Sequence, residues 1–425
     1  MKKLLFLSLL LCFGCSRCCD YFCNCPPPPT RISNAPHVPN EIILDAQDLG
    51  ANYNALKDYL ELKGFKKADS CNCSHSLELW RNPQAVNVIG EITDAKAKPG
   101  TVGGNGWRLS PNFRIGNDEK ITPDTLRDDS VPRKPIGKPV RIVIVDTGVD
   151  PANNFLTLLW RKSQITSRTS SCADEKEYGL NVPMPGNEPL DGQGHGTMVN
   201  GIINGIPKQN TGNQSGIAFE QINAKFTTGN DNTGTLFKAV CGLYYGLDKG
   251  GQVFNLSWGY AGGEAPELIK SFLETAKTQN VIVVAGAGND HKNNDSIPFW
   301  PASFSNTYNF VISVGGYNDA NFTGYTQATP LLYNNSNYGQ TVNVFAPAVD
   351  VRTVGMGSNR FAKNSGTSMA TAYVTRVAAI ARGKNLLWSA QYIKDSLIIK
   401  NSPIKTSTDG KTVRVFHAQT IINAL

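Results

Sequence analysis

The sequence predicts an α/β fold: a mostly parallel central sheet flanked by helices on both faces, preceded by a small α+β unit. Three observations carry this expectation. Apolar runs rich in β-branched residues recur at 141–145, 253–256, 281–285 and 310–314, each the length of a buried strand. Helical spacings at 195–204, 235–247, 267–278 and 368–382 alternate with them, and that alternation builds parallel sheets covered on both faces. The first run, Arg141-Ile142-Val143-Ile144-Val145, ends on Asp146-Thr147-Gly148. A carboxylate therefore stands at the C-terminal edge of a strand, where open α/β sheets form their sites.

Composition frames the rest. At 425 residues, 40% hydrophobic and 18% charged, the chain is long enough for one large domain and a smaller companion. The net charge of +7 is spread out, with no basic block interleaved with aromatics, so no nucleic-acid partner is expected. No heptads or internal repeats are visible.

Taken in order, residues 1–15 read as a targeting segment, with Lys2-Lys3 before the apolar stretch Leu4 to Phe13. That stretch is too short to span a bilayer. Gly14-Cys15 then resembles a bacterial lipoprotein signal, with Cys15 as the lipid-bearing residue, although Cys12 stands where such signals usually have Leu. Plain secretion after cleavage nearby is the alternative. Residues 16–39, with Cys18, Cys19, Cys23, Cys25 and Pro26 to Pro29, read as an extended tether. Of the ten cysteines, eight remain once Cys12 and Cys15 are set aside, which suits an oxidising compartment. Their connectivity stays open, and Cys172 and Cys241 are equally readable as unpaired thiols.

Residues 40–95 read as a small separate α+β unit. Glu41 to Asp45 is a strand, and Leu56, Tyr59, Leu60 and Leu62 give a helical spacing ended by Gly64. Phe65 onward and Ser76 to Trp80 read as further strands. Residues 96–138, rich in Gly, Pro and Asp, read as a linker, and 139–425 as the main domain. A final helix is expected near 388–398 and a short strand near 413–416.

The chemistry concentrates in a few residues. Ser368 lies in Ser365-Gly366-Thr367-Ser368-Met369-Ala370-Thr371, a small-residue turn running into a helix. Free N–H groups at a helix N-terminus favour negative charge, so an oxyanion formed beside Ser368 meets ready donors. A serine hydroxyl needs a positioned base. Of five histidines, His195 has the sharpest context, Asp191-Gly192-Gln193-Gly194-His195-Gly196-Thr197. Taken one at a time, each residue has a plainer reading: Asp146 as an Asx turn, His195 as an ordinary surface or core residue, Ser368 as an N-cap, and Asn289 before Asp290 as a loop.

Together, Asp-Thr-Gly, His-Gly-Thr and Gly-Thr-Ser-Met-Ala in this order resemble the subtilisin-like serine proteases (subtilases). Val281 to Asn289, a strand ending in Ala-Gly-Asn, and Asn255-Leu256-Ser257-Trp258-Gly259 extend the resemblance, which covers about 139–402. It implies a three-layer fold and a serine endopeptidase acting through an acyl-enzyme. Ser368 would be the nucleophile, His195 the general base and acid, and Asp146 the group orienting the imidazole. Asn289 and the Ser368 N–H would bind the oxyanion. Ser257, Trp258, Gly259, Gly286, Ala287 and Gly288 would receive the substrate backbone.

By size and position alone, 40–95 resembles the family's pro-domain, with a maturation cut in 96–138; a permanent accessory module is the alternative. The implied partners are protein or peptide substrates, the chain's own pro-domain, and a membrane through Cys15. The implied location is the cell envelope, or the medium if the anchor is absent. No catalytic cofactor or metal is expected; structural calcium is common in the family, and no ligands are assigned to it here. Ala372 stands where most relatives have Pro, and Ala keeps a helix intact. Trp258 is larger than the family's usual residue and would narrow a substrate pocket if it lines the cleft. Two other readings are a catalytically silent subtilase fold used for binding or structure, and the same triad used for ester or transpeptidation chemistry. The first requires a missing site residue, and none is missing. The α/β-hydrolase form of the second lacks the Gly-x-Ser-x-Gly elbow.

Overall fold

The computed structural model describes residues 37–97 (without 48, 51, 72, 74 and 85), 109–116, 121–124, 139–159 (without 157), 161, 172, 174–205, 218–229, 233–318 (without 264) and 330–425. The expected leader, most of the tether, Cys15 and much of the linker lie outside these residues.

The N-terminal unit runs β1 (His37–Asp45), α1 (Asn52–Leu62), β2 (Lys66–Ser70), β3 (Leu77–Arg81), α2 (Val88–Ala97) and β4 (Leu109–Ile115). Its strands pair antiparallel in the order β2-β3-β1-β4, a split βαβ arrangement. Strand alternation divides its apolar residues between two faces. Ile42 and Leu44 pack with Leu56, Leu60, Trp80 and Ile92 under the two helices. Ile43, Leu77 and Leu79 face the other way and join the main core. That double burial explains why the C-terminal half of β1 is closed on both sides. Two elements fall outside the expected 40–95 pattern. In α2, Val88, Ile92 and Ala95 are buried at helical spacing. Strand β4 lies within the segment read as linker; its Leu109, Phe113 and Ile115 alternate, but Pro111 and Asn112 obscure the run.

The main domain adds β6 (Val140–Asp146), β7 (Gly179–Asn181), α3 (His195–Asn204), β8 (Phe219–Lys225), β9 (Thr227–Thr228), β10 (Thr233–Thr235), α4 (Leu236–Asp248), β11 (Val253–Leu256), β12 (Tyr260–Ala261), α5 (Glu267–Thr278), β13 (Ile282–Gly286), β14 (Phe299–Trp300), β15 (Val311–Tyr317), β16 (Val344–Pro347), β17 (Val351–Val354), β18 (Phe361–Asn364) and α6 (Thr367–Lys384). A short β5 (Thr122–Asp124) precedes them and pairs antiparallel with β18. Seven strands form one sheet in the order β16-β15-β13-β11-β6-β8-β7, and every pairing in it is parallel. Helices α3 and α6 cover one face, α4 and α5 the other. The fold is thus the expected α/β sandwich of three layers. Helix α6 is buried from Thr367 to Arg382, with Ala372 inside it and no break at that position. Helical turns at 390–399, a hairpin of Ile404–Thr406 with Thr412–Arg414 and a short helix at Ala418–Asn423, which lies beyond the helix expected to be the last, close the chain. No helix among the described residues is long and apolar enough to cross a membrane.

The N-terminal sheet recruits two short strands of the main domain. β4 pairs antiparallel with β10, so the N-terminal sheet continues through β10 and β9 into the main domain.

Candidate active site

Asp146 ends β6, the strand between β11 and β8, and His195 opens α3. Both side chains are buried, and His195 Nδ1 lies 2.6 Å from Asp146 Oδ1. The same carboxylate oxygen accepts the Thr147 N–H at 2.7 Å. In that geometry the carboxylate fixes the ring orientation and leaves Nε2 as the end that can meet a reacting group.

The two loops are clamped by Asp191. Its Oδ1 accepts from the N–H of Gln193 and Gly194 and from Thr147 Oγ1, while Oδ2 accepts from the N–H and Oγ1 of Thr197. The negative charge sits at the N-terminal end of α3, where the helix dipole favours it. Gly196 N–H donates to Thr147 Oγ1 at 2.8 Å. A Cβ at Gly196 would lie 2.2 Å from the Gly148 carbonyl, so only glycine permits this approach. Lys225, at the end of β8, donates to the Leu190 carbonyl at 2.6 Å; burial pushes its ammonium down from the ordinary lysine range. Asp191, Thr147 and Thr197 were given no role from sequence. The available signal was an Asp preceding two glycines by one and three positions, the pattern of an Asx turn.

Ser368 is the second residue of α6 and is also buried. Its Oγ donates to the Ser257 carbonyl at 3.1 Å, and Ser257 Oγ returns a bond to the Ser368 carbonyl at 3.1 Å. Asn255 Nδ2 donates to Ser257 Oγ, and Thr375 Oγ1 donates to Asn255 Oδ1. The exit of β11 is thereby stitched to the start of α6. Asn289 Oδ1 accepts the Thr367 N–H at 2.9 Å, which holds the amide beside the start of α6 and leaves Nδ2 as its donating end.

Ser257, Trp258, Gly259, Gly286, Gly288, Asn289 and Ser368 line one open cavity of about 170 Å³. Trp258 is buried in its wall, tilted against Phe226 at 5.5 Å between centroids, and its Nε1 has no hydrogen-bond partner among the described residues. Ala287 departs from expectation. Alternation at the end of β13 turns Gly286 and Gly288 to the cavity and Ala287 away from it. Ala287 packs with Tyr317 and Phe345, and its carbonyl accepts from Asn294 and Asn337.

Two N-terminal residues also reach this place. Gly116, just after β4, lines the cavity, and the Ile121 side chain lies against Gly194, beside His195. The ring of Phe113 stacks on Tyr260 at 4.7 Å.

Comparison with known proteins agrees with this geometry. A model of the subtilase family matches residues 137–419, most of the chain. The thermophilic serine proteinase of Bacillus sp. (strain AK1) is 33% identical over 215 residues, covering 49% of this chain and 48% of that protein. Alkaline elastase YaB of Bacillus sp. (strain YaB) is 29% identical over 266 residues, 61% of this chain and 59% of its own. Subtilisin BL of Lederbergia lenta is 31% identical over 208 residues, 49% of this chain and 70% of its own. The chain thus spans about half the length of the first two relatives.

Proposed function

The chain belongs to the subtilase family, and we propose that it is a serine endopeptidase that cuts peptide bonds through an acyl-enzyme on Ser368. The observation that carries this reading is the buried His195–Asp146 contact at 2.6 Å, at the C-terminal edge of the sheet; Ser368 itself lines the open cavity at the start of α6. His195 takes the Ser368 proton as the hydroxyl attacks the scissile carbonyl, then returns it to the leaving amine. Asp146 holds the tautomer and stabilises the imidazolium. Asn289 Nδ2 and the Ser368 N–H, at the positive end of α6, receive the oxyanion. Ser257 to Gly259 on one side and β10 on the other take an extended substrate backbone, with Gly286 and Gly288 leaving room for its side chain. The relatives named as proteinases support the same reaction class.

The finer reading is a self-processing precursor. The 37–116 unit lays β4 on β10 and delivers Gly116 into the cavity, while Ile121 lies beside the His195 loop. The maturation cut is accordingly proposed between Gly116 and Ile121. Export with a lipid anchor on Cys15, and hence an envelope location, completes the proposal; its support is the leader-like sequence alone.

Wild type and Ser368→Ala, expressed side by side, test the reading. Wild type is expected to digest casein and to yield a new N-terminus within 117–121, while Ser368→Ala stays uncut and inactive. Equal behaviour of the two, with casein intact even after added protease trims the N-terminal unit, overturns it.

A further inference from the structure

The N-terminal unit meets the main domain along a seam built from thiols as well as strands. The loop between β2 and β3 lies on α4. There His75 stacks on Tyr244 with centroids 3.6 Å apart, and its Nε2 is 3.0 Å from Asp45 Oδ1. Ser271 of α5 donates to the other oxygen of Asp45. Two residues before His75 the same loop crosses to the main domain covalently: Cys73 is disulfide-bonded to Cys172, 99 residues further along. Cys71 and Cys241 of α4, both free thiols, line the same small cavity as that bridge and are hydrogen-bonded to each other. Each half of the seam thus supplies two cysteines, and the bridge runs between halves rather than within one.

The position of the bridge relative to the site decides its consequence. Cys73 lies before Gly116 and Cys172 after Ile121, so a chain cut between those residues leaves two pieces still joined. We propose that the Cys73–Cys172 bridge makes the N-terminal unit a covalently retained cover of the cleft, which leaves only when an external dithiol reduces it. This rests on the reading that the chain is cut between Gly116 and Ile121.

The chemistry is a two-electron exchange. A thiolate of the dithiol attacks a bridge sulfur, giving a mixed disulfide; its second thiol then closes on the first. The dithiol leaves as a disulfide, and Cys73 and Cys172 each gain a proton and become thiols. Cys73 is half-buried while Cys172 is buried, so Cys73 is the sulfur open to attack. Retention has a kinetic meaning. A tethered strand rebinds from an effective concentration of about millimolar, whereas a released one is diluted away.

The test uses the full chain purified under oxidising conditions with free thiols blocked. Wild type is expected to run as one species without reductant and as two with dithiothreitol, and its peptide digest to contain the Cys73–Cys172 linked pair. Hydrolysis of a short peptide substrate is expected to rise on the order of 10²-fold after dithiothreitol. Cys71→Ser/Cys73→Ser, which clears the seam of the unit's own thiols, is expected to separate into two pieces and to be active without reductant. Separation of the wild-type pieces before reduction overturns the proposal. So does a digest lacking the linked pair, or activity that dithiothreitol leaves unchanged in the joined, cut enzyme. A wild type that runs as one chain even when reduced instead overturns the underlying cut. Retention is then read from Ser368→Ala carrying a recognition sequence for an added protease between Gly116 and Ile121: pieces joined until reduction support it, and pieces that part at once overturn it.

Discussion

The two halves of this molecule are stabilised differently. The main domain is held from within: its parallel strands are buried on both faces, and the ends of β6, β11 and α6 are fixed by side chains that are themselves buried, such as Asp191 and Asn255. The N-terminal unit is small, and one face of its sheet is completed only by the other half. Ile43, Leu77 and Leu79 are closed by the main core, and Asn112 Oδ1 receives the N–H of Phe237 at the start of α4. What the difference teaches is a division of labour. Changes at the triad of the main domain should abolish chemistry, whereas changes at the seam should loosen the cover and leave chemistry intact.

The sharpest way to break that comparison is at the triad. Ser368→Ala or His195→Ala is expected to lose on the order of 10⁶ in kcat, the magnitude measured for these losses in subtilisin, with near-wild-type melting. Peptide hydrolysis and calorimetry together check this. Asn289→Ala is expected to cost about 10²–10³ in kcat, as removal of the oxyanion-hole donor does in subtilisin, with KM little changed. Steady-state kinetics separate the two parameters, and a loss confined to KM would contradict the assignment.

Asp191→Ala removes five bonds to one buried carboxylate and is expected to cost about 3 kcal/mol of stability while lowering kcat through a loosened His195. Denaturant titration beside kinetics checks it, and an unchanged midpoint would remove Asp191 from the clamp. The smallest effect belongs to the seam. His75→Ala deletes one stacked ring and is expected to weaken docking of the unit by about 1 kcal/mol without altering the kcat of matured enzyme. Inhibition of matured enzyme by the added N-terminal unit measures it.

Legibility followed the same division. Val140 to Asp146, Val253 to Leu256 and α3 stood out in the sequence because full burial leaves uninterrupted apolar runs or sharp glycine punctuation. The pairing of Asp146 with His195 was legible through the family resemblance of their motifs; Asp146 ends β6 and His195 opens α3. β4 was not readable: its pairing partners are distant in sequence, and Pro111 interrupts its pattern. Ala287 was misplaced because a motif names residues without saying which side of a strand each faces. The Cys73–Cys172 pairing was illegible because no spacing determines connectivity.

The pairing of β4 with β10 carries a last consequence. When β4 leaves, β10 becomes an open sheet edge, and whatever replaces it must present an unpaired, extended backbone. Folded proteins keep such segments engaged in their own ladders. On the proposed reading, a globular target is therefore cut at a pace set by how often it opens locally. The enzyme would sort its victims by their own native-state stability before any side chain is read.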